Sequence, residues 1–82
     1  MDDLSNAIAI LDELQDDPDV SKNIRVKIVS IKKDLEGASK DNFSLVVNKV
    51  LSDVEEISND VNLHPFIRTR LWSLTSLLES LA

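Results

Sequence analysis

Two stretches of the chain, DDPDVSKNIR at residues 16–25 and NDVNLHPFIR at residues 59–68, carry nearly the same message. Each begins with acid in a turn, at Asp17 or Asp60. Each continues through an apolar residue, Val20 or Leu63, and ends on an apolar–arginine pair, Ile24–Arg25 or Ile67–Arg68. Sliding the chain by 43 residues extends the match in both directions. Leu11 then falls on Val54, Leu14 on Ile57, Ile28 on Leu71, Ile31 on Leu74 and Leu35 on Leu78. Among polar positions, Glu13 meets Glu56, Ser30 meets Ser73 and Glu36 meets Glu79. Two amphipathic hairpins would share apolar positions in any case. The coincidence of Asp17 with Asp60 and of Arg25 with Arg68 is what makes the pattern a repeat.

Outward from these stretches the apolar residues recur every three or four positions, the period of a helix with one buried stripe. Leu4, Ala7, Ile8, Leu11 and Leu14 predict a helix from Asp3 to about Asp16, and Ile24, Ile28, Ile31 and Leu35 predict one over Lys22–Glu36. Phe43, Val46, Val47, Val50, Val54 and Ile57 predict a third from about Asn42 to Ser58. Its valines favour strand locally, but their spacing is helical. Ile67, Leu71, Leu74, Leu78 and Leu81 predict a fourth from Pro65 to about Ser80. Ser21 is placed to cap the second helix and His64 the fourth, with Pro65 at a first-turn position where its missing N–H is no loss. Gly37 stands where a left-handed residue would end the second helix.

The expected architecture is all-α: a four-helix array over residues 1–82 as a single domain, built from two antiparallel hairpins of period about 43, at about 3–36 and 42–81. A two-helix period of this length lies in the HEAT and armadillo range. The apolar–arginine pairs resemble the Val-Arg that opens the second helix of a HEAT unit. Two units are too few for a solenoid, whose repeats bury their faces on neighbours, so a compact array is expected.

Composition narrows the function. The 82 residues include no Cys, one His, one Gly and two Pro. Disulfides, thiolate metal sites and thiol chemistry are therefore absent, and a reducing compartment is the expected setting. The opening MDDLSNAIAI is acidic where a secretory signal is basic, and no apolar run is long enough for a membrane span. Cytoplasmic localisation follows as the expectation. The net charge of −6 opposes nucleic-acid binding, whose affinity comes largely from neutralising phosphates.

Over nearly the whole chain the sequence resembles a small archaeal family catalogued as uncharacterised protein family 0147. The likeness is strongest in ISNDVNLHPFIRTRLWSLTSLLE, through His64, Arg68, Leu71 and Trp72, preceded by LQDDPDVSKNIR. The resemblance implies a small all-helical protein with no assigned activity. Val61 departs from the proline usual in the family after that aspartate. Ser21 and Lys22 stand where members often carry proline.

Most of the candidate sites have a structural explanation. Arg25 and Arg68 lie in first helical turns, where the dipole gives a cation nothing, so pairing with Asp17 and Asp60 is expected to pin turn to helix. His64 has neither a partner base nor companion ligands, and Asp16, Asp17 and Asp19 lack calcium-loop spacing; no catalytic, metal or cofactor site is expected. Lys22, Arg25, Lys27, Lys32 and Lys33 make the second helix basic, but the acids of the first helix, Asp12, Glu13, Asp16 and Asp17, would lie beside it. The LTSLL run at Leu74–Leu78 reads as core. Trp72 and Leu77 fall to one flank of the fourth stripe and Phe66 to the other, with Ile10, Val26 and Val29 beside theirs. Such an apolar surplus suggests a contact surface anchored by Trp72, and self-association as a homodimer or binding of a protein partner. The expected function is thus that of a non-catalytic structural or interaction protein, with no small-molecule substrate or membrane. The alternative is a nucleic-acid-associated factor using the second helix.

Overall fold

The computed structural model describes residues 2–81. It comprises four α-helices, α1 (Asp3–Gln15), α2 (Lys22–Gly37), α3 (Phe43–Ser58) and α4 (Pro65–Leu81), and no strand among the described residues. Each helix packs on two others: α1 on α2 and α4, and α3 on α2 and α4. The first helix therefore meets the last, and the array is a closed bundle rather than an open stack of hairpins. The cross-links run antiparallel. Lys27 reaches Glu56 and Lys49 reaches Asp34 between α2 and α3, while Arg70–Glu13 and Ser80–Asp3 join α4 to α1.

The core is one cluster of aliphatic side chains, with Leu11, Ile28, Val47, Val50, Val54, Ile67, Leu71, Leu74 and Leu78 fully enclosed. No polar or charged side chain is buried among the described residues. The expected stripes form the buried faces, except that Leu4, Phe43, Val46 and Leu81 are only partly buried at their margins and α1 is rotated from its expected register. Ile10, placed beside the α1 stripe, is in the core, while Ile8 is only half-buried. The helix presents Ala7, Ile10, Leu11 and Leu14 inward because it must face α4 as well as α2, which rotates its buried sector.

The two joints are built alike. Asp17 Oδ1 accepts from the Asp19 N–H at 2.8 Å, and Asp60 Oδ1 from the Asn62 N–H at 2.9 Å. These aspartates form side-chain turns. Val20 and Leu63 donate backbone N–H bonds to the Asp17 and Asp60 carbonyls at 3.2 and 3.1 Å and bury their side chains beneath the turn. Ser21 Oγ accepts from the Ile24 N–H at 3.3 Å, and His64 Nδ1 from the Phe66 N–H at 3.1 Å. Both residues therefore satisfy N–H groups that the first helical turn leaves free.

The arginines do not pair with the aspartate carboxylates, contrary to expectation. Arg25 Nε donates to the Gln15 carbonyl at 2.8 Å, and its Nη2 to the carbonyls of Asp17 at 2.9 Å and Val20 at 3.0 Å. Arg68 repeats this with the Ser58 carbonyl at 3.3 Å and the Asp60 carbonyl at 3.1 Å. The hairpin brings the C-terminus of the preceding helix beside the first turn of the next. Its unpaired carbonyls and negative dipole end attract the guanidinium. The carboxylates are already engaged in their own turns.

Gly37 also departs from expectation. It is the last residue of α2, has no positive φ, and is followed by Ala38 in an extended conformation, φ −69° and ψ 137°. The exit to α3 is instead held by Asn42, whose Oδ1 accepts from the Ser39 N–H at 2.7 Å and the Ser39 hydroxyl at 3.1 Å. At the other end of the chain, Asp2 caps α1 by accepting from the Ser5 N–H at 2.7 Å, which holds its carboxyl below the usual aspartate range.

Urea denaturation tests the joints. Arg25→Ala should cost about 1–3 kcal/mol, since three charge-assisted bonds are lost. Arg68→Ala, with two longer bonds, should cost less. Asp17→Asn keeps both the carbonyl and the turn acceptor and should stay within about 0.5 kcal/mol of the parent. A larger loss for Asp17→Asn than for Arg25→Ala would restore the carboxylate ion pair. Gly37→Ala should raise stability by about 0.4–1 kcal/mol, because the φ is helical and an added Cβ meets nothing within 4 Å. A depressed carboxyl stabilises the fold above the unfolded-state value and ceases to do so as pH falls through the folded one. The stability difference between Asp2→Ala and the parent should therefore be present at neutral pH and vanish in acid well below about pH 4.

Candidate interaction surface

The joint end of the bundle holds the sole histidine. The two turns lie side by side there, and Asp19, Ser21, Asp60, Asn62 and His64 border a cavity of about 60 Å³. That space accommodates about two waters at liquid density. His64 Nδ1 is taken up by the Phe66 N–H, so the imidazole serves as a cap. No group of three or more His, Asp or Glu is arranged to hold a metal ion among the described residues.

The basic side of α2 is largely matched by its neighbours. Lys32 Nζ lies 2.5 Å from the Asp12 carboxylate of α1, and that bond raises its pKa. Lys27 lies 3.8 Å from Glu56 of α3, and Arg25 is turned back onto carbonyls. The same α2–α3 seam holds Lys49 between Asp34 at 2.8 Å and Asp53 at 3.3 Å, which raises the lysine pKa. Lys22 and Lys33 remain exposed and form no ion pair with a described residue. They stand at the ends of an outer ridge, Lys22–Val26–Val29–Lys33, spaced four, three and four residues apart, so the four side chains line up along the helix. Val26 is 63% exposed.

The apolar surplus divides differently from its sequence reading. Trp72 is 62% exposed and borders a groove of about 400 Å³ between α3 and α4, formed with Leu51, Glu55, Ser58, Thr75 and Glu79. Leu77 is not beside it. It lies two turns beyond Arg70, which holds Glu13 of α1, and three turns beyond Phe66, so Leu77 and Phe66 share the α1 flank. Leu77 is half-buried against the core and Phe66 is exposed. Leu74 and Leu78 of the LTSLL run are fully buried, which removes it as a docking motif in this fold. A second apolar groove, at the end opposite the joints, is bordered by Leu4, Ile8, Leu35 and Phe43.

Leu51, Glu55 and Glu79 were not singled out from the sequence. Leu51 falls off the α3 stripe, and the only signal for the glutamates is that they flank apolar positions on two helices that must first be placed together. Glu55 and Glu79 are exposed and make no ion pair with a described residue. The groove thus joins an exposed indole and a leucine to two unpaired carboxylates.

No helix among the described residues is long and apolar enough to cross a membrane. Residues 1–81 match a family described as Uncharacterised protein family (UPF0147). A UPF0147 protein of Archaeoglobus fulgidus is 35% identical over 79 residues, spanning 96% of this chain and 88% of the relative. Another, from Thermoplasma volcanium, is 37% identical over 73 residues, spanning 89% of this chain and 81% of the relative. The crystal structure of a UPF0147 protein from Thermoplasma acidophilum superposes with a TM-score of 0.87 at 34% identity, covering 98% of this chain and 93% of that one. None of these names carries an activity. On the evidence of its sequence and its four-helix bundle, the chain belongs to uncharacterised protein family UPF0147.

Proposed function

We propose that the protein is a non-catalytic, cytoplasmic interaction module, and that it works through the groove between α3 and α4, with self-association as its primary contact. The observation that carries this reading is Trp72. It is mostly exposed beside Leu51, although Ile67, Leu71, Leu74 and Leu78 of the same helix are fully buried. Exposing an indole forfeits a large burial gain, and tryptophan is the residue most enriched at the centre of protein interfaces.

The nucleic-acid reading is weakened by the charge arrangement. Lys27 and Lys32 are held by Glu56 and Asp12, so the α2 helix does not offer a continuous basic stripe to phosphates.

Light scattering and sedimentation velocity on the full chain, at concentrations on the order of tens of micromolar, test the proposal. The parent should self-associate. Trp72→Ala should weaken that association by at least about tenfold, the equivalent of 1.4 kcal/mol, with the helical circular dichroism unchanged. Association should persist at moderate salt. A monodisperse parent monomer, or a Trp72→Ala variant that associates as the parent does, would remove the groove as the contact surface.

A further inference from the structure

The chain carries a surface that complements its own groove. The groove sets an apolar centre, Trp72 and Leu51, between two carboxylates, Glu55 and Glu79, that form no ion pair with a described residue. The outer ridge of α2 sets an apolar centre, Val26 and Val29, between two ammonium groups, Lys22 and Lys33, that likewise form none with a described residue. The remaining lysine and arginine side chains of α2 are occupied within the molecule, as described above. The ridge is a straight helical edge, and the groove is the furrow between two helices, the shapes that interlock when a third helix packs on a helix pair.

We infer that the α3–α4 groove receives the α2 ridge of a second copy of the same chain. The inference rests on the reading of the Trp72 groove as an interaction surface and specifies its occupant and geometry. Val26 and Val29 cover the Trp72 ring and Leu51, and Lys22 and Lys33 meet the glutamates. Within one molecule the ridge and groove lie on opposite sides of the bundle. The ridge adjoins Arg25 on the α1 side of α2, and the groove opens between α3 and α4. Two copies cannot make both contacts reciprocally, so the contact is head to tail. A head-to-tail contact closes into a ring or continues as a chain, and does not stop at a two-fold dimer. The charged flanks choose the partner and orientation, while the apolar centre supplies most of the affinity.

Mixing two one-sided variants tests this directly. Trp72→Ala blocks the groove and leaves the ridge. Val26→Asp blocks the ridge, at an exposed position outside the core, and leaves the groove. Each variant alone should sediment as a monomer with unchanged circular dichroism. Their mixture should form a 1:1 complex of two chains that grows no further, because each has one usable surface. As a second handle, Lys22→Glu/Lys33→Glu should weaken association of the otherwise intact chain by about tenfold or more at low salt, and by less as salt rises. The parent should give species beyond two chains as concentration increases. If Val26→Asp associates as the parent does while Trp72→Ala does not, the head-to-tail contact is overturned and the groove stands as a symmetric interface. If the parent is monomeric throughout, both readings fall.

Discussion

The fold turns on how the end of one helix is attached to the start of the next. At both joints a single guanidinium reaches back from the first turn of a helix to the last carbonyl of the helix before it and to carbonyls of the intervening turn. Helix C-termini leave carbonyls without intrahelical partners, and these must be satisfied by water, backbone or a side-chain donor. A planar, permanently charged fork satisfies two or three at once. The angle between successive helices is thereby set from a turn held on one side by an aspartate and underneath by Val20 or Leu63. The arrangement also answers why an arginine tolerates a helix N-terminus: the neighbouring C-terminal dipole compensates for its own helix.

With both joints set, α1 meets α4, and the bundle encloses a purely aliphatic core. Specific polar contacts are relegated to the seams. Lys32–Asp12, Lys27–Glu56, Lys49–Asp34 and Arg70–Glu13 each cross between helices at the surface. Exposed pairs of this kind contribute little individually to stability, but they determine which charges remain available outside. Once they are assigned, Lys22 and Lys33 on the outer edge of α2 and Glu55 and Glu79 beside the indole are among the exposed charges that form no ion pair with a described residue. A chain of net charge −6 thus keeps two unshielded lysines on one helix edge.

Much of the fold was legible in the sequence. Helix positions followed from apolar spacing, and the caps at Ser21 and His64 followed from residue chemistry and from Pro65. Ile10 was misplaced because a period identifies a stripe but does not reveal how many neighbours it must face. Gly37 was misread because its residue type permits a left-handed ending without requiring one. The assignment of Leu77 to the Trp72 flank failed at the level of helix rotation, and an ion pair on the same face, Arg70–Glu13, resolves it.

By itself, the sequence determined that there are four helices, in what order, which faces are apolar, and that two joints 43 residues apart share one construction. These properties depend on side-chain identity and spacing, which sequence records. The tertiary structure alone decided the partners of Arg25 and Arg68, because every residue carries a carbonyl and nothing in the type of Gln15 or Ser58 marks it as an acceptor. It alone decided that Leu51, Glu55, Trp72 and Glu79 form one groove, and that this groove lies across the bundle from the α2 ridge. Such groupings arise only when separate helices are brought side by side, and no local pattern encodes them.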